Sequence, residues 1–170
     1  MALIKDRKLA HDSWQLLEAG ADGVVPAIPA TGDVIVPFSV WRVLREELIA
    51  RSGRLGLLLA GSDEPADIAS DLEYLDVIAV RFPSFTDGRG YSIARLLRER
   101  HGWRGELRAI GDVQRDQLYY LARCGFDAFD LREGEDAETA IAAFNDFSEA
   151  YQTAVDRPVP LFRRREAESR

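Results

Sequence analysis

Short apolar runs recur along the chain at nearly even intervals, and this cadence limits the possible folds more than any other feature. They begin near residues 33, 55, 77, 106 and 128, with spacings of 22, 22, 29 and 22. The runs are Val34-Ile35-Val36, Leu55 to Ala60, Val77 to Phe82, Glu106 to Ile110 and Ala128 to Leu131. Between them the apolar residues keep helical phase, as at Val40, Trp41, Leu44 and Leu48, or at Ile68, Leu72 and Leu75. Helices are predicted after Ser39 as N-cap, around 68–75, over Tyr91–His101, over Val113–Cys124 and over Ala137–Tyr151. Strands apolar on both faces and joined by helices predict an α/β fold of repeated βα units forming a parallel sheet. Two architectures fit: an incomplete (β/α)-barrel-like curved sheet, or a flavodoxin-like open sheet. The short, even spacing favours the curved form. A closed eight-stranded barrel normally needs roughly 200 residues or more.

The flanks read differently. Residues 1–32 form a prefix, with a hairpin predicted around Asp6-Arg7-Lys8 and a loop over 18–32 rich in Gly and Pro. The α/β domain is expected over 33–156. Residues 157–170 are basic and hold Pro158 and Pro160, which predicts an extended or disordered tail.

Composition narrows the chemistry. The chain carries 22 basic and 29 acidic residues, net −7. The 157–170 tail is net +3, which leaves −10 on the body. Such a body is a poor match for a nucleic-acid backbone. No apolar run is long enough to span a membrane, and the N-terminus does not read as a secretory signal. A cytoplasmic location is expected. One cysteine, Cys124, and two histidines, His11 and His101, leave no thiolate pair or cluster. No metal site is expected, and redox chemistry would need a bound cofactor or a partner.

Polar residues concentrate between Arg81 and Gln117. Asp87, Gly88, Arg89, Gly90, Tyr91 and Ser92 follow the third of these strands, and Asp112, Arg115 and Asp116 follow the fourth. Neighbouring parallel strands bring such loops to one rim. Glycines allow close backbone approach, a helix start offers free N–H groups, and Arg89 offers a planar fork. These nine residues are a candidate site for a small oxyanion. The same Asp-Gly-x-Gly pattern also makes a tight turn and a helix cap, with Arg89, Arg95 and Arg98 paired to Asp87, Asp116 and Glu106. Asp112 reads as a helix N-cap or as a general base. Cys124, at a helix C-terminus, reads as buried and structural.

The segments Phe85 to Ser92, Ala94 to Arg100, Gly105 to Ala109, Gly111 to Leu118 and Arg123 to Phe129 together resemble the signature of the DUF934 family. The strand at 34–36 and Phe147-Ser148 with Tyr151-Gln152 extend the likeness, to roughly residues 33–155. Gln114 stands where that pattern has Leu. The family's function is unknown, and it has no established catalytic residues to carry over. The resemblance implies a bacterial companion of assimilatory sulfite reductase. The expected role is an accessory protein that binds or supports the sirohaem subunit or its electron donor. The alternative is an oxidoreductase-like enzyme or cofactor-binding domain, with an oxyanion or flavin-phosphate site at the carboxyl ends of the third and fourth strands. A homodimer that covers the open sheet edges is a further expectation.

Overall fold

The computed structural model describes residues 2–18 and 27–168. Most of the loop read at 18–32, with Gly20, Gly23 and Pro26, lies outside the described residues, as do Ser169 and Arg170 of the tail. The strands are β1 (Leu3–Lys5), β2 (Lys8–Ala10), β3 (Gln15–Leu16), β4 (Val34–Pro37), β5 (Leu55–Leu59), β6 (Val77–Phe82), β7 (Glu106–Gly111) and β8 (Ala128–Asp130). They form one sheet in the order β2-β1-β8-β7-β6-β5-β4-β3. From β3 to β8 every pair is parallel, while β1 joins β8 and β2 antiparallel. The sheet is therefore mixed, not purely parallel as the cadence predicts. The prefix supplies strands at both of its edges.

From β3 to β8 the strand order runs monotonically, without the reversal that a flavodoxin-like sheet contains. Right-handed crossovers then put the helices that connect β4 to β8 on the same face. The core divides accordingly. A large cluster joins Val34, Val36, Leu57, Leu59, Ile78, Val80, Leu107 and Phe129 to residues of the helices. The alternate strand positions, Ile35, Leu58, Val77, Ala79 and Ile110, pack among the described residues with Trp14 and Leu16. One face is helix-covered and the other is lined by the sheet.

The sheet is curled into an open half-barrel, and chain length requires the curl. β2 and β3 lie at opposite edges, seven strand spacings apart, or about 34 Å along a flat sheet. The five residue steps from Ala10 to Gln15 reach at most about 18 Å. The segment His11–Trp14 thus crosses the open, concave side. Asp12 accepts a 2.7 Å hydrogen bond from Arg108 of β7, and the Arg54 guanidinium lies 4.8 Å over the Trp14 ring.

The helices are α1 (Phe38–Ala50, kinked at Leu44), α2 (Arg89–Glu99), α3 (Leu118–Cys124), α4 (Ala137–Ala142) and α5 (Leu161–Glu168). The 65–74 stretch, expected to be α-helical, is a 3-10 helix that begins at Pro65. Ser39 does not cap α1, which starts at Phe38 directly after Pro37. The long helix expected at 137–151 stops early, passing through a 3-10 turn at Ala143–Asn145. Its later residues, Asn145, Asp146, Ser148 and Glu149, are exposed and give the helix no apolar face to bury. The basic tail, expected extended or disordered, carries α5, where Arg164 pairs with Glu149 at 2.8 Å. No helix among the described residues is long and apolar enough to cross a membrane.

Candidate functional site

In a sheet of this kind the loops that follow the strands gather at the carboxyl rim, the usual place for function in barrel-like folds. The nine expected residues all lie there, but they divide into groups. Asp87 and Arg89 are bound to each other: Arg89 Nε and Nη2 reach the Asp87 carboxylate at 2.9 and 2.6 Å. The Arg89 side chain, then its backbone N–H, holds the Asp87 carboxyl down at about 2. Of the paired arginines foreseen, Arg89 takes its expected partner, whereas Arg95 pairs with Glu99 and Arg98 with Asp127.

Gly90 serves packing. A Cβ there would stand 2.5 Å from the Phe82 ring, so the missing side chain lets α2 lie close on β6. Tyr91 turns toward the helix layer. Its ring meets Phe82 at 5.3 Å and Tyr120 at 5.2 Å, and its hydroxyl accepts a 3.4 Å bond from Gln117. Gly88 is open, with nothing closer to a built Cβ than Tyr91 at 3.9 Å, and Ser92 is exposed.

Asp112 is not the N-cap that its position predicts. Gln114 caps the turn Arg115–Gln117 through a reciprocal bond with Gln117. Asp112 instead ties the two rim loops together. It accepts bonds from Gln114 Nε2 at 3.0 Å, the Phe85 N–H at 2.8 Å and Arg132 at 3.3 Å, and these lower its pKa. Arg115 points to Asp146, and Asp116 is exposed. Of the nine residues, only Asp112 reaches the principal cleft.

That cleft, of about 400 Å³, opens on the concave face at the ends of β6, β7 and β8. Leu16, Pro83 and Ile110 give it apolar walls, and Arg81, Glu18 and Asp130 give it charge. Gly111 shapes its floor: with φ +99 and a built Cβ 2.3 Å from the Phe82 carbonyl, only glycine fits there. Arg81 donates to the two Glu18 carboxylate oxygens at 2.6 and 3.4 Å, which lowers the Glu18 pKa. Asp130 is half-buried and makes no hydrogen bond among the described residues. Burial pushes its pKa up, against the pull of Arg108.

Arg81 and Asp130 escaped the sequence reading, although each left a signal. Both interrupt apolar strands at an inward position near the carboxyl end. Glu18 left no comparable signal, because its partner lies 63 residues away. Among the described residues no group of three His, Cys, Asp or Glu side chains gathers as a metal site. Cys124 is buried, and desolvation raises its pKa, as a structural thiol requires.

The family model for bacterial proteins of unknown function, DUF934, matches residues 56–162, more than half of the chain. The chain belongs to the DUF934 family. No curated protein and no solved structure matches it. The DUF934 match takes in β5 to β8 and most of the cleft, including Arg81, Ile110 and Asp130. Leu16, Glu18 and the crossing segment His11–Trp14 lie outside it.

Proposed function

We propose that this DUF934 chain is an accessory protein of assimilatory sulfite reduction, one that binds the sirohaem reductase or its electron donor. The observation that carries this reading is an aromatic surface beside α3. Tyr120, Phe147 and Tyr151 are 57, 63 and 81% exposed. The Phe147 ring lies tilted against Tyr119 at 4.9 Å, and the neighbouring 152–155 strip is held to Arg123, whose guanidinium donates to the Gln152 carbonyl and whose own carbonyl accepts from the Val155 N–H. Aromatic residues beside arginines are the usual composition of a protein interface. The test is co-purification of the tagged chain with the sirohaem subunit from its native bacterium grown on sulfate. Stoichiometric recovery, lost in a Phe147→Ser, Tyr151→Ser variant, is expected. Recovery of the chain alone under both oxidising and reducing conditions overturns the reading.

A second reading is favoured by Asp112, which joins the two rim loops. It is an oxyanion or flavin-phosphate site formed by Asp87, Gly88, Arg89, Gly90, Tyr91, Ser92, Asp112, Arg115 and Asp116. It requires Arg89 to leave Asp87 for the anion. Thermal shifts with sulfite, sulfate, phosphate and flavin mononucleotide, lost in Arg89→Ala, are the expected result, and unchanged melting with all four removes it.

A further inference from the structure

The concave cleft holds groups that neither reading uses. The charge of its lining is unbalanced: Arg81 stands against the carboxylates of Glu18, Asp112 and Asp130, and Arg108, which acts on Asp130, is already paired with Asp12 and Glu106. Arg132 and Gln114 already engage Asp112. Asp130 keeps its hydrogen-bonding capacity unspent among the described residues. A simple oxyanion that entered this cleft would meet an excess of negative charge. A ligand with an ammonium group at one end would relieve it.

The two unmatched functions are placed in register. Arg81 lies opposite Ile110 in the β6–β7 ladder, and the β7–β8 pairing of Ala109 with Phe129 sets Asp130 beside Ile110 on the other side. Arg81 and Asp130 therefore flank Ile110 on the concave face, their backbones about 10 Å apart across two strand spacings. The long Arg81 side chain shortens that span to the dimensions of a small molecule. Glu18 shows how Arg81 receives a carboxylate, with both terminal nitrogens engaged. The Glu18 side chain is 60% exposed, so water can take over its carboxylate when it leaves.

We propose that the cleft binds an α-amino acid, with its carboxylate on Arg81 in place of Glu18, its ammonium on Asp130 and its side chain against Leu16, Pro83 and Ile110. Glu18 is then a built-in competitor for the same guanidinium. The inference stands apart from the docking surface, which lies on the helix-covered side at α3.

The experiment is titration of the full chain with the individual amino acids by ligand-observed NMR and calorimetry. Each binder is compared with its carboxylic acid lacking the amine and with its amine lacking the carboxylate. At least one amino acid is expected to bind, with both analogues about tenfold weaker or worse, in line with the loss of one charge-assisted hydrogen bond. Arg81→Gln and Asp130→Asn should each weaken binding about tenfold. Glu18→Gln should tighten it a few-fold, a gain that no folding defect imitates. The proposal is overturned if no amino acid binds, if the amine-free acid binds as well as its parent, or if Asp130→Asn binds unchanged. Inorganic sulfite or phosphate bound through Arg81, without any amino acid doing so, also overturns it. Success or failure here leaves co-purification with the reductase as an independent result.

Discussion

Asp12 and Arg108 meet at 2.7 Å in the middle of the concave face, so the segment that crosses the half-barrel is fastened to its floor. Arg108 is almost fully buried and also holds Glu106, at 2.7 Å. Arg108→Ala leaves the buried Glu106 carboxylate with Lys5, at 2.6 Å, as its one remaining ion-pair partner among the described residues. A loss of about 3–5 kcal/mol in urea denaturation is expected. Asp12→Asn keeps one acceptor and should cost about 1 kcal/mol. Equal costs for the two would show that the crossing segment, not the buried ion pair, dominates.

Asp71 joins α1 to the 3-10 helix. Its carboxylate accepts from the Trp41 indole at 2.7 Å and from Arg45 at 2.8 and 3.1 Å. The Arg45 hydrogen bond is the main cause of its lowered pKa. Asp71→Ala strands the buried indole N–H and should cost about 2–4 kcal/mol. Because the folded pKa lies below the unfolded one, this contribution is present above the ordinary aspartate range and fades as pH falls through the folded value. The gap between wild type and variant should therefore narrow under acid, read as melting temperature against pH.

Two glycines give opposite expectations. Gly90→Ala drives a methyl into the Phe82 ring, which is wedged among Tyr91 and Phe126. A destabilisation of about 1–3 kcal/mol follows. Gly61→Ala meets the Arg89 side chain at 2.9 Å. That side chain is flexible and exposed, so a change within about 0.5 kcal/mol is expected. Paired melting curves check both.

Asp130 is held above its ordinary pKa by burial. Its folded pKa exceeds the unfolded one, so its ionisation works against the fold as pH rises through that window. Asp130→Asn should raise the melting temperature at neutral pH and have little effect below the ordinary aspartate pKa. A variant less stable than wild type at neutral pH would mean that the carboxylate is matched by a charge partner.

The sheet was legible because its strands are short, apolar and evenly spaced: the runs read at 33–36, 55–60, 77–82, 106–110 and 128–131 fall on β4 to β8. The hairpin was legible too, although its turn places Asp6 and Arg7 at φ 50 and 62, where Gly or Asn is usual. Its destination was not. Pairing of β1 with β8 is a contact between Ile4 and Phe129, and no local pattern encodes it. Of the nine candidate residues, which lie at the rim, Asp112 alone lines the cleft. Asp87–Ser92 carried a loop signature whose glycine and arginine serve packing and an internal ion pair. Arg81 and Asp130 each break an apolar strand, but a single polar residue there carries no spacing that ties it to a partner. Capping misled at Ser39, which lies inside the first turn of α1, and at Asp112, whose carboxylate is engaged by Phe85, Gln114 and Arg132.

The placement of β1 also sets the order in which the molecule can assemble. The hairpin leaves the ribosome before the parallel strands, yet its neighbour β8 begins at Ala128. Until that strand emerges, the hairpin has no edge to join, and the crossing segment has no Arg108 to hold it. The parallel ladder β4 to β8 can grow stepwise as each βα unit is made, whereas the hairpin can join the sheet only after β8 is made. Closure of the concave cleft thus waits on β8, since the crossing segment is fastened only once Arg108 and the β8 edge are both in place.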